Sequence, residues 1–534
     1  MAGPSRRMPN LHNPETRDRG VEAVPGQWFQ KIALSFDGGG VRGYWSLLVL
    51  QHLMMQIRDV EWREDSETRS SFHPCDEPDN VSQLANLSSL DNPARYTPFL
   101  PCHYFDYIGG TSTGALIAIL LSRFRMTVED CLSEYETMVG IVFGNPRMLH
   151  KMNTLTPRNK YSRKALKHAF QDVIQRRSQV VEDDTVPLFQ TDIDTCRGVA
   201  LATRLSGVVN RRFLFRSYTP YSEKKRRISQ RNDNQRMKNP NEGMRIALLE
   251  VALAATAAPF YFGRYGLPLS TSQAEGAARA PTIPPSTSGE TAHQDGTNIS
   301  RAVTGGAKKI NLPEGKSLYQ FEDAGFSTAN NPCDELFREI QDHHGENMPV
   351  LVSIGTARQK DEDQGEGALR LIKRGLNLLG DPGIVHERMQ QDEENERCFY
   401  YRLNDDDDGA RVEMDEWKPR RDGSETRTKM REHFDTWLQK EGVKDMFMDC
   451  AEHLVRLRRI RMKTPRWERF ALVQYFVCQV ANCPKDRDNQ WLDKGDFENH
   501  LRREHREEDY EGSLDRALDM CRRKWRYRSR AASP

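Results

Sequence analysis

The stretch Gly110-Thr111-Ser112-Thr113-Gly114 stands between two apolar runs, Tyr104-Phe105-Asp106-Tyr107-Ile108 before it and Ala115 to Leu121 after it. The first run predicts a strand and the second a buried helix. Gly-x-Ser-x-Gly between them is the pattern of a nucleophile elbow, a strand-to-helix turn whose small flanks, here Gly110 and Gly114, expose the serine hydroxyl. Ser112 would then stand at a helix N-terminus, where free N–H groups and the helix dipole favour a developing negative charge. Taken alone, a serine in such a turn can equally be a plain helix cap.

A second glycine pattern lies about seventy residues earlier, in Phe36-Asp37-Gly38-Gly39-Gly40-Val41-Arg42-Gly43. Lys31 to Phe36 reads as a buried strand and Tyr44 to Ile57 as an apolar helix. Gly38, Gly39 and Gly40 between them form a loop whose bare backbone can aim N–H groups at an oxyanion, with the charge of Arg42 nearby. Arg42 can also be read as pairing with a surface carboxylate. Asp37 is expected to brace the loop by accepting backbone hydrogen bonds. The same glycines satisfy the dinucleotide-binding pattern G-x-G-x-x-G, with Asp59 as its acid. That reading needs the acid at the end of a second strand, but Met54 to Asp59 continues the helix, and it gives Ser112 no role. The two motifs in this order point to a serine hydrolase.

Together these residues resemble the patatin-like phospholipase family, with its Asp-Gly-Gly-Gly-x-Arg-Gly loop and Gly-Thr-Ser-x-Gly elbow. Tyr161 to Leu166, Phe213 to Tyr218, Ala254 to Phe262 and Ser353-Ile354-Gly355-Thr356 are similar to further family segments. The resemblance covers about residues 28–360 and extends toward 460 through Tyr400-Tyr401-Arg402-Leu403-Asn404. It implies a Ser–Asp dyad without histidine, acting on phospholipid or lysophospholipid esters without calcium. The aspartate it implies is Asp323: Glu322-Asp323-Ala324-Gly325 precedes Ala329-Asn330-Asn331-Pro332, as in the family's second motif. Ala324 replaces the family's first glycine there. A requirement for positive φ at that position would cost about a kcal/mol and displace the carboxylate. Asp295, in Asp295-Gly296-Thr297-Asn298, is the competing candidate, but it has neither a preceding strand nor a following Asn-Asn-Pro.

Composition sets the surroundings. The 534 residues carry a net charge of +1 with 29% charged residues, which gives no global field for nucleic acid. No run of eighteen apolar residues occurs, and the first thirty residues hold no apolar signal-peptide core. Ten scattered cysteines suit reduced thiols in a cytoplasmic protein. Residues 1–27 read as a polar tail, 28–460 as the hydrolase domain and 461–534 as a separate C-terminal segment. Residues 59–98 and the Ala-, Gly- and Ser-rich 267–312 read as linker and insertion. The basic loop 221–242 and the tail Arg522 to Arg528 read as solvated or as contacts for an anionic surface.

The C-terminal segment carries its own pattern. Cys478 and Cys483 are separated by four residues, as are His500 and His505, with Trp491 and Phe497 at finger-like positions over 476–505. Two thiolates on a hairpin and two imidazoles a helical turn apart could close a tetrahedron around zinc. The departure is length: sixteen residues separate Cys483 from His500, where about twelve are usual. Ordinary thiols on a helical tail are the alternative.

The expected fold is therefore an α/β hydrolase of the patatin-like kind, a mostly parallel central sheet covered by helices, with a small zinc-finger-like C-terminal region. Its expected chemistry is lipid acyl hydrolysis through an acyl-enzyme, with no catalytic cofactor and zinc only at the C-terminal motif. Its expected partners are an acyl-lipid substrate, a membrane touched peripherally, and a protein bound through the C-terminal segment. Two other readings share the motifs: an acyltransferase or triacylglycerol lipase on the same dyad, and a non-catalytic scaffold, which Ala324 favours.

Overall fold

A computed structural model of the chain describes residues 26–75, 98–147, 159–177, 187–191, 195–205, 210–218, 246–259, 261–270, 316–327, 329–345, 348–358, 381–480, 483, 494–506 and 513–523. Five strands form its parallel centre, in the order β3-β2-β1-β7-β8: β1 (Ile32–Phe36), β2 (Tyr107–Thr111), β3 (Arg197–Leu205), β7 (Val350–Ile354) and β8 (Phe399–Leu403). Three antiparallel strands extend it: β4 (Arg211–Arg216), β5 (Tyr265–Ser270) and β6 (Lys316–Asp323).

The strands alternate between two hydrophobic layers, as a sheet covered on both faces must. Ile32, Leu34 and Phe36 of β1 and Val350, Val352 and Ile354 of β7 enter the larger layer. Ala33 and Leu351 enter the smaller one. The larger layer is filled by α1 (Gly43–Glu64), α2 (Thr113–Ser122), α3 (Val128–Phe143), α4 (Arg163–Arg177), α5 (Leu248–Ala255), α8 (Ser424–Trp437), α9 (Val443–Arg461) and α10 (Pro465–Leu472). Opposite lie α6 (Cys333–His344) and α7 (Gly383–Glu394). All ten residues of α2 are buried, which is the core helix expected after the elbow.

Several expected boundaries move. The elbow strand begins at Tyr107, because Pro101 to His103 form a turn and Gly109-Gly110 belong to the strand. Weak β-propensity hides these glycines in the sequence, but at Gly109 a Cβ would lie 2.8 Å from Leu336. The linker expected from 59 begins later, since α1 continues to Glu64 and Phe72 is fully buried. Residues 267–270 belong to β5, whose edge position tolerates Pro268. The main core runs past 460: Trp467, Phe470 and Leu472 pack into it beside Trp28. Residues 1–25, the loop 221–242, Asp295, Trp491 and residues 524–528 lie outside the described residues.

Beyond α10 stands a third, separate hydrophobic cluster, built from β9 (Tyr475–Phe476), α11 (Lys494–Glu504), α12 (Leu514–Cys521) and β10 (Arg522–Arg523). Among the described residues, no helix is long and apolar enough to cross a membrane.

Candidate active site

The register of β3 brings the site together. One edge of β3 pairs with β4. The other edge carries two strands in succession: Thr111, the last residue of β2, pairs with Leu201, and Asp323, the last residue of β6, pairs with the next residue, Ala202. Ser112 follows Thr111 and so emerges beside the end of β6. Its Oγ donates to Asp323 Oδ2 at 2.5 Å. Neither group is bonded to a histidine among the described residues.

Ser112 has φ 57° and ψ −125°, the strained turn that lifts a nucleophile above its sheet. The flanking glycines are required by contact. A Cβ on Gly110 would lie 2.0 Å from the Gly114 carbonyl oxygen, and one on Gly114 would lie 2.5 Å from that of Phe36.

Asp323 is buried, and its Oδ1 accepts the backbone N–H of Gly325 at 2.8 Å. Burial pushes its pKa up to about 7, although the Ser112 hydroxyl and the Gly325 N–H partly offset this by favouring the carboxylate. Ala324 opens a short 3₁₀ turn, Ala324–Phe326, and takes no positive φ. The replaced glycine therefore imposes no strain at this position.

The three glycines of the early loop have different tasks. Gly38 already donates its N–H to the carbonyl of Asn330, 3.1 Å away, so it anchors the loop instead of offering a donor. Gly39 and Gly40 have N–H groups with no acceptor among the described residues. Gly40 has φ 59°, and a Cβ there would lie 1.9 Å from the carbonyl oxygen of Met414. Tyr135 Oη donates to the Gly40 carbonyl at 2.5 Å, and the Val41 N–H donates to the Met414 carbonyl at 2.8 Å. Arg42 reaches the Val412 carbonyl at 3.5 Å.

Contrary to the expectation, the Asp37 side chain accepts no backbone N–H of the loop among the described residues. Its two carboxylate oxygens meet Arg402 at 3.1 and 2.7 Å, a bidentate pair buried between β1 and β8. Arg402 also donates to Ser353 Oγ at 2.9 Å. Sequence reading passed over Arg402 except as part of a family-like segment, and it passed over Met414 and Tyr135 entirely. Met414 lies in irregular chain, where no periodicity marks it. Asn330 served only as a motif landmark, although its side-chain oxygen lies beside Gly38 and Gly325.

An apolar cleft opens beside Ser112, with about 560 Å³ of atom-free space including its open mouth. Leu116, Met138, Val139, Val142, Phe143 and Leu166 form its walls, and Gly40, Thr113 and Met414 border it near the serine. A half-buried hydroxyl on a strained turn, a buried carboxylate bonded to it and an apolar slot are the parts an acyl-transfer site needs.

A family model for patatin-like phospholipase matches residues 34–336, more than half of the chain, and the chain belongs to that family. The family consists of lipid acyl hydrolases, and the mostly parallel sheet flanked by helices is its fold. No curated protein matches the chain.

The four C-terminal residues also converge. The potential ligand atoms of Cys478, Cys483, His500 and His505 all lie within 4.8 Å of one another. Most of the chain that the expected hairpin would span, residues 481–482 and 484–493, lies outside the described residues; among those described, β9 pairs antiparallel with β10, which follows both helices.

Proposed function

We propose that the protein hydrolyses fatty acyl esters of phospholipids or lysophospholipids without calcium, with Ser112 as nucleophile and Asp323 as its base. The observation that carries this reading is the 2.5 Å hydrogen bond to a buried carboxylate from Ser112 Oγ, whose residue lines an apolar cleft. The Asp323 carboxylate accepts the Ser112 proton as Oγ bonds to the ester carbonyl carbon, and that carbonyl becomes an oxyanion facing the N–H groups of Gly39 and Gly40. Collapse breaks the bond to the alkoxy oxygen, which takes the proton from Asp323 and leaves as the lysolipid or glycerol-phosphate alcohol. Water then adds to the acyl-serine, gives a proton to Asp323, and the fatty acid departs as Ser112 Oγ recovers that proton. The acyl chain occupies the cleft between α2, α3 and α4.

A carboxylate at its ordinary pKa of about 4 is a weak base for a hydroxyl. Burial of Asp323 moves it toward neutrality, where a general base works best. The relaxed backbone at Ala324 weighs against the inactive-scaffold reading. The test is fatty acid release from mixed phospholipid vesicles with calcium chelated, wild type against folded Ser112→Ala. Release by wild type alone is expected. Equal release by both proteins, or by neither, would overturn the assignment.

A further inference from the structure

We propose that Cys478, Cys483, His500 and His505 bind one zinc ion in a closed tetrahedral site that fastens the C-terminal module, residues 473–523, as a unit separate from the hydrolase core. Zinc held by thiolate sulfur at about 2.3 Å and imidazole nitrogen at about 2.0 Å in a tetrahedron places each sulfur about 3.5 Å from each nitrogen. Cys478 Sγ lies 3.3 Å from His505 Nε2, and Cys483 Sγ lies 3.5 Å from His500 Nε2. Two independent thiol–imidazole hydrogen bonds would give those pair distances, but would not require both pairs to meet within one 4.8 Å cluster. Both histidines turn Nε2 inward, and Cys478 and His500 are buried while Cys483 and His505 are half-buried.

The ligands come from separate parts of the module. The cysteines follow β9, His500 lies within α11, and His505 sits one residue past its end, with its N–H still bonded to the Leu501 carbonyl. Behind them lies a small core of Phe476, Val480, Phe497, Leu501, Ala517 and Leu518. A core of this size rarely holds a module of about fifty residues without a staple such as a structural metal. Cys521 is buried in the same core beside Cys478, but its Sγ accepts the Gln479 N–H at 3.4 Å and it is not in the converging set. Four protein ligands leave no open position, so the site is structural and not catalytic.

The experiment uses the full chain, expressed with zinc supplied and purified without chelator. On the order of one zinc per chain is expected by elemental analysis, falling at least about tenfold in Cys478→Ser and His505→Ala and unchanged in Cys521→Ala. Cobalt exchange into the wild type gives a second readout that does not depend on the folding of a ligand variant, with intense tetrahedral bands and a thiolate-to-cobalt transition expected. Chelation should open new protease cleavage sites in 473–523 while leaving the cleavage pattern of 28–472 unchanged, since the two cores share no residue. A wild type that takes up neither zinc nor cobalt, a Cys478–Cys483 disulfide in the reduced preparation, or metal loss in folded Cys521→Ala equal to that in Cys478→Ser would each overturn the proposal.

Discussion

The backbone N–H of Gly38 is bonded to the carbonyl of Asn330, so the loop that would face the oxyanion is tied to the segment that follows the candidate base. The contact is tight. A Cβ on Gly38 would lie 2.6 Å from Asn330 Oδ1 and 3.2 Å from Ser112 Cβ. Gly38→Ala should therefore shift the loop and lower turnover by about 100-fold, the range seen when an oxyanion donor is displaced. Asn330→Ala removes the nearer clash, so the double variant should be more stable than the sum of the single losses predicts. Thermal unfolding of the four proteins checks this, and simple additivity would show that the two residues do not collide.

Asp323 should set the pH dependence. In the proposed mechanism it must be ionised, so kcat/KM should rise with pH through a midpoint near 7. Its effect on stability runs the other way. A carboxyl whose folded pKa is raised from 3.8 to about 7 contributes stability below the unfolded value, and loses it as pH climbs through the folded one. Asp323→Asn should abolish turnover yet melt at the same or a higher temperature than wild type at pH 8, with the gap narrowing toward pH 4. A melting point lowered equally at both pH values would point to a structural role.

The cleft should select acyl length. Val142 is buried on its wall, and Val142→Phe fills part of the slot. Overpacking costs about 1–3 kcal/mol of stability. The kcat/KM ratio for long over short acyl esters should fall by about tenfold, with short esters nearly unaffected. A uniform loss across chain lengths would mean that the acyl chain lies elsewhere.

Arg402 binds the far end of the hydrolase core to the glycine loop. Arg402→Met leaves the buried Asp37 carboxylate without its partner, and should cost about 3–5 kcal/mol. Chemical denaturation reads this directly. The double variant with Asp37→Asn should recover part of the loss, because no isolated charge then remains.

The elbow, the glycine loop and Asp323 were legible because each rests on small residues or a short motif at fixed spacing, where local geometry leaves few choices. Gly110 and Gly114 show this plainly, since each faces a carbonyl that no side chain could clear. What escaped depended on distant chain. Arg402 reaches Asp37 across 365 positions, and Met414 meets Val41 from irregular backbone. Neither leaves a periodic trace. The same holds for β10, two residues whose pairing with β9 is set by tertiary packing and not by propensity.

The shared edge of β3 has a consequence for how this enzyme can vary. Ser112 and Asp323 are spaced by adjacent rungs, Leu201 and Ala202, and not by the connection between β5 and β6. That connection can lengthen or shorten between relatives without retuning the distance across the pair. Errors, by contrast, come in whole steps. A slip of β6 that keeps its buried face inward moves the carboxylate by two residues, about 7 Å. Variation here should yield enzymes that are fully assembled or silent, with no graded series between them.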